Sequence, residues 1–284
     1  MCRRAPRPGA AALTGRRAAA GVEGRARGTA CVLAIGGVDP GGGAGLAADV
    51  RAVGHAGAFA APVVAVVTVQ STHGLVRVRA LSPRELRDQA DEVLAHQRVR
   101  AVKTGALGSA ANVAAVAALL AAHPRIPAVI DPVLVPSRGA ARLLDRRALR
   151  ALREDLVPRA ALVTANAIEA AAITGLRVAT IDDARAAAAA ICAMGARAAL
   201  VKGGHIAGAE GTDVLARGRD VTTLRATPLA IPKIHGGGCT LASLIAGRVA
   251  RRDDVLTAVR WARRAHRALL LRARDVGGPL RVLG

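Results

Sequence analysis

The sequence predicts an α/β protein whose mainly parallel sheet is covered by helices on both faces and ends in an antiparallel edge. Three observations carry that reading. From Cys31 onward, short β-rich apolar runs alternate with longer Ala/Leu-rich stretches, the pattern of parallel strands joined by crossover helices. Of the 284 residues, 52% are hydrophobic, enough to bury a sizeable core. After Lys202 the character changes to short, more polar strands.

Taken in order, the strand-like runs are 31–35, 62–69, 100–103, 128–131, 161–164 and 198–202. Helix-like stretches lie between them at 46–55, 83–96, 110–122, 145–156 and 182–194. The strands at 212–217 and 221–226 form the antiparallel edge. Two helices close the chain, at about 239–251 and 254–273, the first opening directly from a glycine run. No internal repeat and no Pro/Ser linker divides residues 31–284, which are therefore expected to form one domain.

Charge and composition exclude several classes. There are 41 Lys+Arg against 20 Asp+Glu, a net charge of +21, yet only one Phe, one Trp and no Tyr. Without aromatic platforms, positive charge alone does not make a single-strand nucleic-acid binder, and no nucleic-acid partner is expected. No run of about 18 apolar, uncharged residues is present, so no membrane partner is expected. Residues 1–30 are Arg-rich and Ala/Gly/Pro-rich, and read as a disordered basic tail or an over-long translation start. A binder of anionic partners acting through this tail is the alternative from a different functional class. Cys2, Cys31, Cys192 and Cys239 form no C-x-x-C pair, which suits a reducing, cytoplasmic location.

Only Lys103, Lys202 and Lys233 are lysines among the basic residues. Where Arg has replaced Lys almost everywhere, a retained ammonium marks a place suited to a compact point charge.

Two glycine-rich loops stand out: Gly36-Gly37-Val38-Asp39-Pro40-Gly41-Gly42-Gly43-Ala44-Gly45 and His235-Gly236-Gly237-Gly238-Cys239-Thr240. The first fits neither the P-loop nor the G-x-G-x-x-G pattern, and on spacing alone is a turn. The second places several backbone N–H groups at a helix start, an arrangement that receives a phosphate or an oxyanion; a plain helix-opening turn fits it equally. Cys239 at that N-terminus is expected to have a lowered thiol pKa.

Together and in order, these loops resemble the ribokinase superfamily, specifically the hydroxymethylpyrimidine/phosphomethylpyrimidine kinases of thiamine biosynthesis. The segment from Ala34 to Asp49 is similar to that family's A-G-x-D-P-S-G-G-A-G-x-x-A-D. Gln70-Ser71-Thr72, Lys103-Thr104-Gly105-Ala106-Leu107, Asp131-Pro132-Val133, Asn166-Ala167-Ile168-Glu169 and Val201-Lys202-Gly203-Gly204-His205 match further motifs. His235 to Thr240 resembles H-G-T-G-C-T, whose Cys separates the pyrimidine kinases and one class of pyridoxal kinases from Asp-bearing relatives.

The resemblance implies a ribokinase-like three-layer α/β/α fold, a small-molecule aminopyrimidine alcohol as substrate, ATP and Mg²⁺ as cofactors, and a homodimer. It assigns Gly236, Gly237, Gly238 and the Cys239 N–H to an anion hole, with Cys239 orienting or deprotonating the substrate hydroxyl. Asn166 and Glu169 would hold the magnesium–phosphate cluster, Glu169 through water, and Lys202 the nucleotide. An N-cap with a capping-box Glu accounts for N-x-x-E equally well. Gln70 reads the pyrimidine, Gly37 lets backbone approach the ring, and Thr68, Ala106 and Val133 wall the pocket. Asp49 anchors the first loop, touches substrate or sits on an exposed helix face. Lys103 and Lys233 could equally be structural. The chain departs from the family pattern at Gly237 for Thr, Ala165 for Pro, Ala106 for Met and in the loop 136–141. Pyridoxal kinase is the enzymatic alternative.

Overall fold

The computed structural model describes residues 28–134 and 146–284. Most of the expected tail, Cys2 and the departing loop at 136–141 lie outside the described residues. The elements are β1 (Cys31–Val38), α1 (Gly45–His55), β2 (Phe59–Ser71), β3 (Gly74–Ala80), α2 (Pro83–His96), β4 (Val99–Thr104), α3 (Ala110–Ala122), β5 (Ala128–Ile130) and α4 (Arg146–Ala151). They continue with β6 (Leu162–Asn166), α5 (Ala167–Thr174), α6 (Ile181–Ala193), β7 (Ala198–Lys202), β8 (Asp213–Arg217), β9 (Asp220–Leu224), β10 (Ile234–His235), α7 (Gly237–Ala250), α8 (Val255–Leu270) and β11 (Arg281–Val282).

A nine-stranded sheet runs in the order β3-β2-β1-β4-β5-β6-β7-β8-β9. The pairs from β2 through β7 are parallel, while β3 on β2, β8 on β7 and β9 on β8 are antiparallel. Alternation along the strands sorts the core. Leu33, Ile35 and Val63 pack with α2, α3, α5 and α6 on one face. Val32, Ala101 and Leu162 pack with α1, α7 and α8 on the other. Central strands buried on both faces need continuous apolar runs, which is what Cys31–Ile35 of β1 and Ala198–Val201 of β7 supply.

The predicted α/β class and three-layer arrangement hold, with local corrections. The sheet has an antiparallel strand at each edge rather than one: β3 turns back on β2 through the short link Thr72–His73. β2 begins at Phe59 and passes through Pro62, which is tolerated because β1 alone pairs with the strand there and β3 joins only from Val66 onward. The helix expected over 145–156 is α4 followed by a π-turn at Leu152–Leu156 and a 3₁₀ turn at Val157–Arg159. α5 was not among the expected helices, although the capping box that starts it was weighed. Capping boxes start α2 (Ser82 with Glu85) and α6 (Thr180 with Asp183) as well.

Candidate active site

The parallel strands bring their carboxyl ends to one edge of the sheet, where open α/β folds place their ligands. A cleft of about 1180 Å³ lies there, and every site residue named from the sequence lines it. On the β1–β2 side are Gly37, Thr68 and Gln70, with Ala106 and Val133 after β4 and β5. Asn166, Glu169 and Lys202 stand across from them, and Gly236 to Cys239 form the floor between.

The second glycine loop opens α7 two residues earlier than expected. Gly236 is the N-cap with φ of 77°, a left-handed conformation that glycine adopts without strain, and Gly237, Gly238 and Cys239 are the first helical residues. Their N–H groups have no carbonyl one turn earlier within the helix, and the residues line the cleft, an arrangement suited to receiving an anion. A Cβ on Gly236 would collide with the Gly43 carbonyl. The loop therefore requires glycine there for packing as well as conformation.

Cys239 corrects an expectation. Although it sits at a helix N-terminus and is partly accessible from the cleft, its recessed position desolvates the thiolate and pushes the thiol up to about 12. The Lys103 ammonium pulls the other way; Asp131 and Asp49 add to the rise. Desolvation outweighs the dipole, so the resting group is a neutral thiol.

Asp49 is likewise not on an exposed helix face. It is fully buried, with Oδ1 accepting from Lys103 Nζ at 2.8 Å and from Ser243 Oγ at 2.7 Å, while Oδ2 has no partner. Burial raises the Asp49 carboxyl against the pull of Lys103. Burial works to lower Lys103, but the charges of Asp49 and Asp131 leave it raised. Lys103 is thus a buried cation paired with Asp49 at the cleft. Lys233 is exposed at the cleft rim.

On the opposite wall the capping box is formed: Asn166 Oδ1 accepts from Glu169 N at 2.9 Å, and Glu169 Oε2 accepts from Asn166 N at 2.8 Å. The same carboxylate lies 3.9 Å from Lys202 Nζ, which is 3.6 Å from Asp131. Cap and site are one arrangement, since the cap fixes Glu169 beside the lysine. Burial pushes Glu169 up to about 7 against the lowering charge of Lys202. For Lys202 burial favours the neutral form, and Asp131 and Glu169 overcome it to leave the group raised.

Gln70 reaches the cleft from the end of β2, with Oε1 3.3 Å from Thr68 Oγ1; that hydroxyl donates to the Val38 carbonyl at 2.8 Å. Gly37 sits against Val66 and Ala106, with room for a Cβ only at ordinary contact distance.

Sequence reasoning gave no role to four groups found here. Asp131 was quoted within its motif, yet its buried, unpartnered Oδ2 comes to light only in the fold. Asp39 and His235 were read as loop residues. His266 of α8 lines the cleft with a buried, unpartnered Nε2, and burial pushes it down to about 4. No motif flagged it.

The comparisons with known proteins agree with this geometry. The chain is 43% identical over 232 residues to a hydroxymethylpyrimidine/phosphomethylpyrimidine kinase of Streptomyces coelicolor, covering 82% of this chain and 85% of that protein. It is 37% identical over 246 residues to the thiamine biosynthesis bifunctional protein of Geobacter sulfurreducens, covering 87% of this chain but spanning only half the length of that relative. Among solved structures, the ADP complex of Bacillus subtilis pyridoxal kinase superposes with a TM-score of 0.83 at 27% identity, covering 90% of this chain and 97% of that one. The family model described as phosphomethylpyrimidine kinase matches residues 39–279, from the first glycine loop to the strap before β11. With both glycine loops, Lys103, Lys202 and the carboxylate wall lying inside that span, the chain belongs to the phosphomethylpyrimidine kinase family and is a nucleotide-using kinase.

Proposed function

We propose that this enzyme transfers the γ-phosphoryl group of ATP to the hydroxymethyl oxygen of 4-amino-5-hydroxymethyl-2-methylpyrimidine, and then a second phosphoryl group to the resulting monophosphate. The observation that carries this reading is the convergence on one cleft of a polar reader at Gln70, an anion hole at Gly236–Cys239 and a cationic wall at Lys202. The curated names of the relatives above favour the pyrimidine.

Phosphoryl transfer asks the protein for positioning and charge neutralisation rather than covalent chemistry. The substrate oxygen forms a bond to Pγ, the bridging oxygen leaves with ADP, and the hydroxyl proton passes to the transferred phosphoryl group. The N–H groups of Gly237, Gly238 and Cys239 bind charge on the equatorial oxygens. Cys239, a neutral thiol, orients the hydroxyl and is not the base. Gln70 offers one acceptor and two donors to the aminopyrimidine edge, and Thr68, Ala106, Val133 and Gly37 shape the ring pocket. Lys202 holds nucleotide phosphate oxygens.

Mg²⁺ fits the residues present: hard cations take oxygen ligands, and the buried Asp131 Oδ2 lacks any partner beside Glu169. Asp131 and Glu169, with Asn166, would hold the cation through water, where it supplies neutralisation of phosphate charge. Exposed Val67, Val69 and Val76 on the β2–β3 ribbon support a homodimer. Among the described residues no helix is long and apolar enough to cross a membrane, and a cytoplasmic setting is the reading we adopt.

The test compares kcat/KM for ADP release with the pyrimidine, its monophosphate and pyridoxal as acceptors. The pyrimidines are expected to exceed pyridoxal at least tenfold. The reverse order would establish the pyridoxal kinase reading, which the likeness to the Bacillus subtilis structure favours.

A further inference from the structure

Asp39 and His235 come from the two glycine loops and meet in the interior, 4% and 2% exposed. His235 Nε2 is 2.8 Å from Asp39 Oδ2. The same carboxylate accepts from the N–H of Gly41 at 2.9 Å and of Ala44 at 2.8 Å, so one side chain shapes the first loop and grips the second. The backbones also touch: a Cβ on Gly43 would lie 2.5 Å from His235 Cδ2, and one on Gly236 would strike the Gly43 carbonyl. Burial works to raise the Asp39 carboxyl, but His235 and the Ala44 and Gly41 N–H groups bring it below its usual value. Asp39 is therefore ionised, and the proton between the two rests on His235 Nε2.

What the pair holds is the site itself. Immediately after His235 come Gly236 and the anion-hole turn. The first loop ends at Gly45, which opens α1 and lines the same cleft as Cys239. Gln70 reaches the same His235 nitrogen, with 3.4 Å between the side chains. Since that nitrogen already donates its proton to Asp39, the Gln70 amide nitrogen that faces it packs there without a hydrogen bond, while the amide oxygen lies toward Thr68. The other ring nitrogen, Nδ1, is buried without a partner, so the imidazole is held from the Nε2 side alone.

We propose that Asp39 and His235 act as a positioning couple that fixes the acceptor side of the site, Gln70 and the first glycine loop, relative to the phosphate side, Gly236 to Cys239. The couple acts through the loops it joins. The inference rests on the kinase reading given above.

The experiment measures kcat, both KM values and calorimetric ADP affinity for His235→Leu, Asp39→Asn and His235→Gln, with folding checked by circular dichroism and thermal melting. His235→Leu removes the donor, and Asp39→Asn sets an amide N–H against a donor. Both are expected to lower kcat about 100-fold, the cost of an ångström-scale misplacement of reacting groups, while ADP affinity stays within threefold. His235→Gln places an amide N–H near the position of Nε2 and is expected to recover most of the loss. A kcat within threefold of wild type in folded His235→Leu and Asp39→Asn overturns the couple, as does a His235→Gln enzyme no better than His235→Leu. If His235→Leu does not fold, Asp39→Asn against His235→Gln carries the same comparison. Wild-type enzyme that phosphorylates pyridoxal but no pyrimidine overturns the substrate reading alone, and the same ratios are then read on pyridoxal. Wild-type enzyme that turns over no alcohol overturns both.

Discussion

Replacing Lys103 by Met tests whether the buried cation paired with Asp49 is part of the scaffold. Both Lys103 and Asp49 have fully buried side chains, joined at 2.8 Å. Once the ammonium is gone, Asp49 keeps only the Ser243 hydroxyl, and its second oxygen is already without a partner. Removing one member of such a pair costs about 3–5 kcal/mol, because the remaining charge is left desolvated. At about 2–4 °C per kcal/mol for a chain of this size, Lys103→Met should lower Tm by roughly 6–20 °C. The Asp49 carboxyl is already raised by burial, and without Lys103 it rises further. A folded-state pKa above the unfolded value stabilises at low pH, so the deficit should shrink as pH falls toward 4. Lys103→Met combined with Asp49→Leu removes both charges and should recover all but about 1–2 kcal/mol. Urea unfolding of wild type, both single variants and the double variant gives the coupling. A loss below about 1 kcal/mol for Lys103→Met, or strictly additive single losses, would refute the reasoning.

The other predictions concern the site. With Glu169 held near pH 7, binding of magnesium nucleotide at that pH should release roughly half a proton as the carboxylate ionises fully; calorimetry in buffers of different ionisation enthalpy reads this, and Glu169→Gln should abolish it. Cys239 keeps its proton to about 12 in the folded protein but ionises near about 8.5 when unfolded. Its stabilising contribution is thus full below the lower value and is lost as pH rises toward the upper one. Wild type should lose stability between pH 9 and 11 faster than Cys239→Ala, and the two kcat profiles should share their shape between pH 6 and 8. Gly237→Ser should stabilise: a Cβ there meets Ile234 and His266 only at 3.6–3.7 Å, and the hydroxyl can pair with the orphaned His266 Nε2. Less unfolded-state freedom and one hydrogen bond together are worth about 1–2 kcal/mol, visible as a higher urea midpoint.

The layered fold was legible because β1 and β7 are buried on both faces and carry apolar runs, and because Ala/Leu-rich α3 and α6 separate parallel strands. β3 was missed: its alternation of Val and Arg is the signature of a half-exposed edge strand, but the turn before it, Thr72–His73, carries no Asn-Gly or Asp-Gly signal. The site was legible where motif and geometry coincide, as at Asn166, Glu169, Lys202 and Gly236 to Cys239, all of which line the cleft. It was not legible where the fold decides the environment. The dipole argument for Cys239 is correct in sign and loses to desolvation, and burial of Asp49 depends on α1 packing against α7. His266 lies outside every motif. Its importance arises only because α8 crosses behind Gly237.

The most direct test of the central claim is to identify the phosphorylated product by ³¹P NMR after incubating the protein with ATP, Mg²⁺ and 4-amino-5-hydroxymethyl-2-methylpyrimidine. The structure predicts a monophosphate resonance that gives way to a diphosphate, with ADP formed at each step and both signals lost in Gly236→Ala, whose Cβ would collide with the first loop. ADP and inorganic phosphate without any phosphorylated pyrimidine would contradict it.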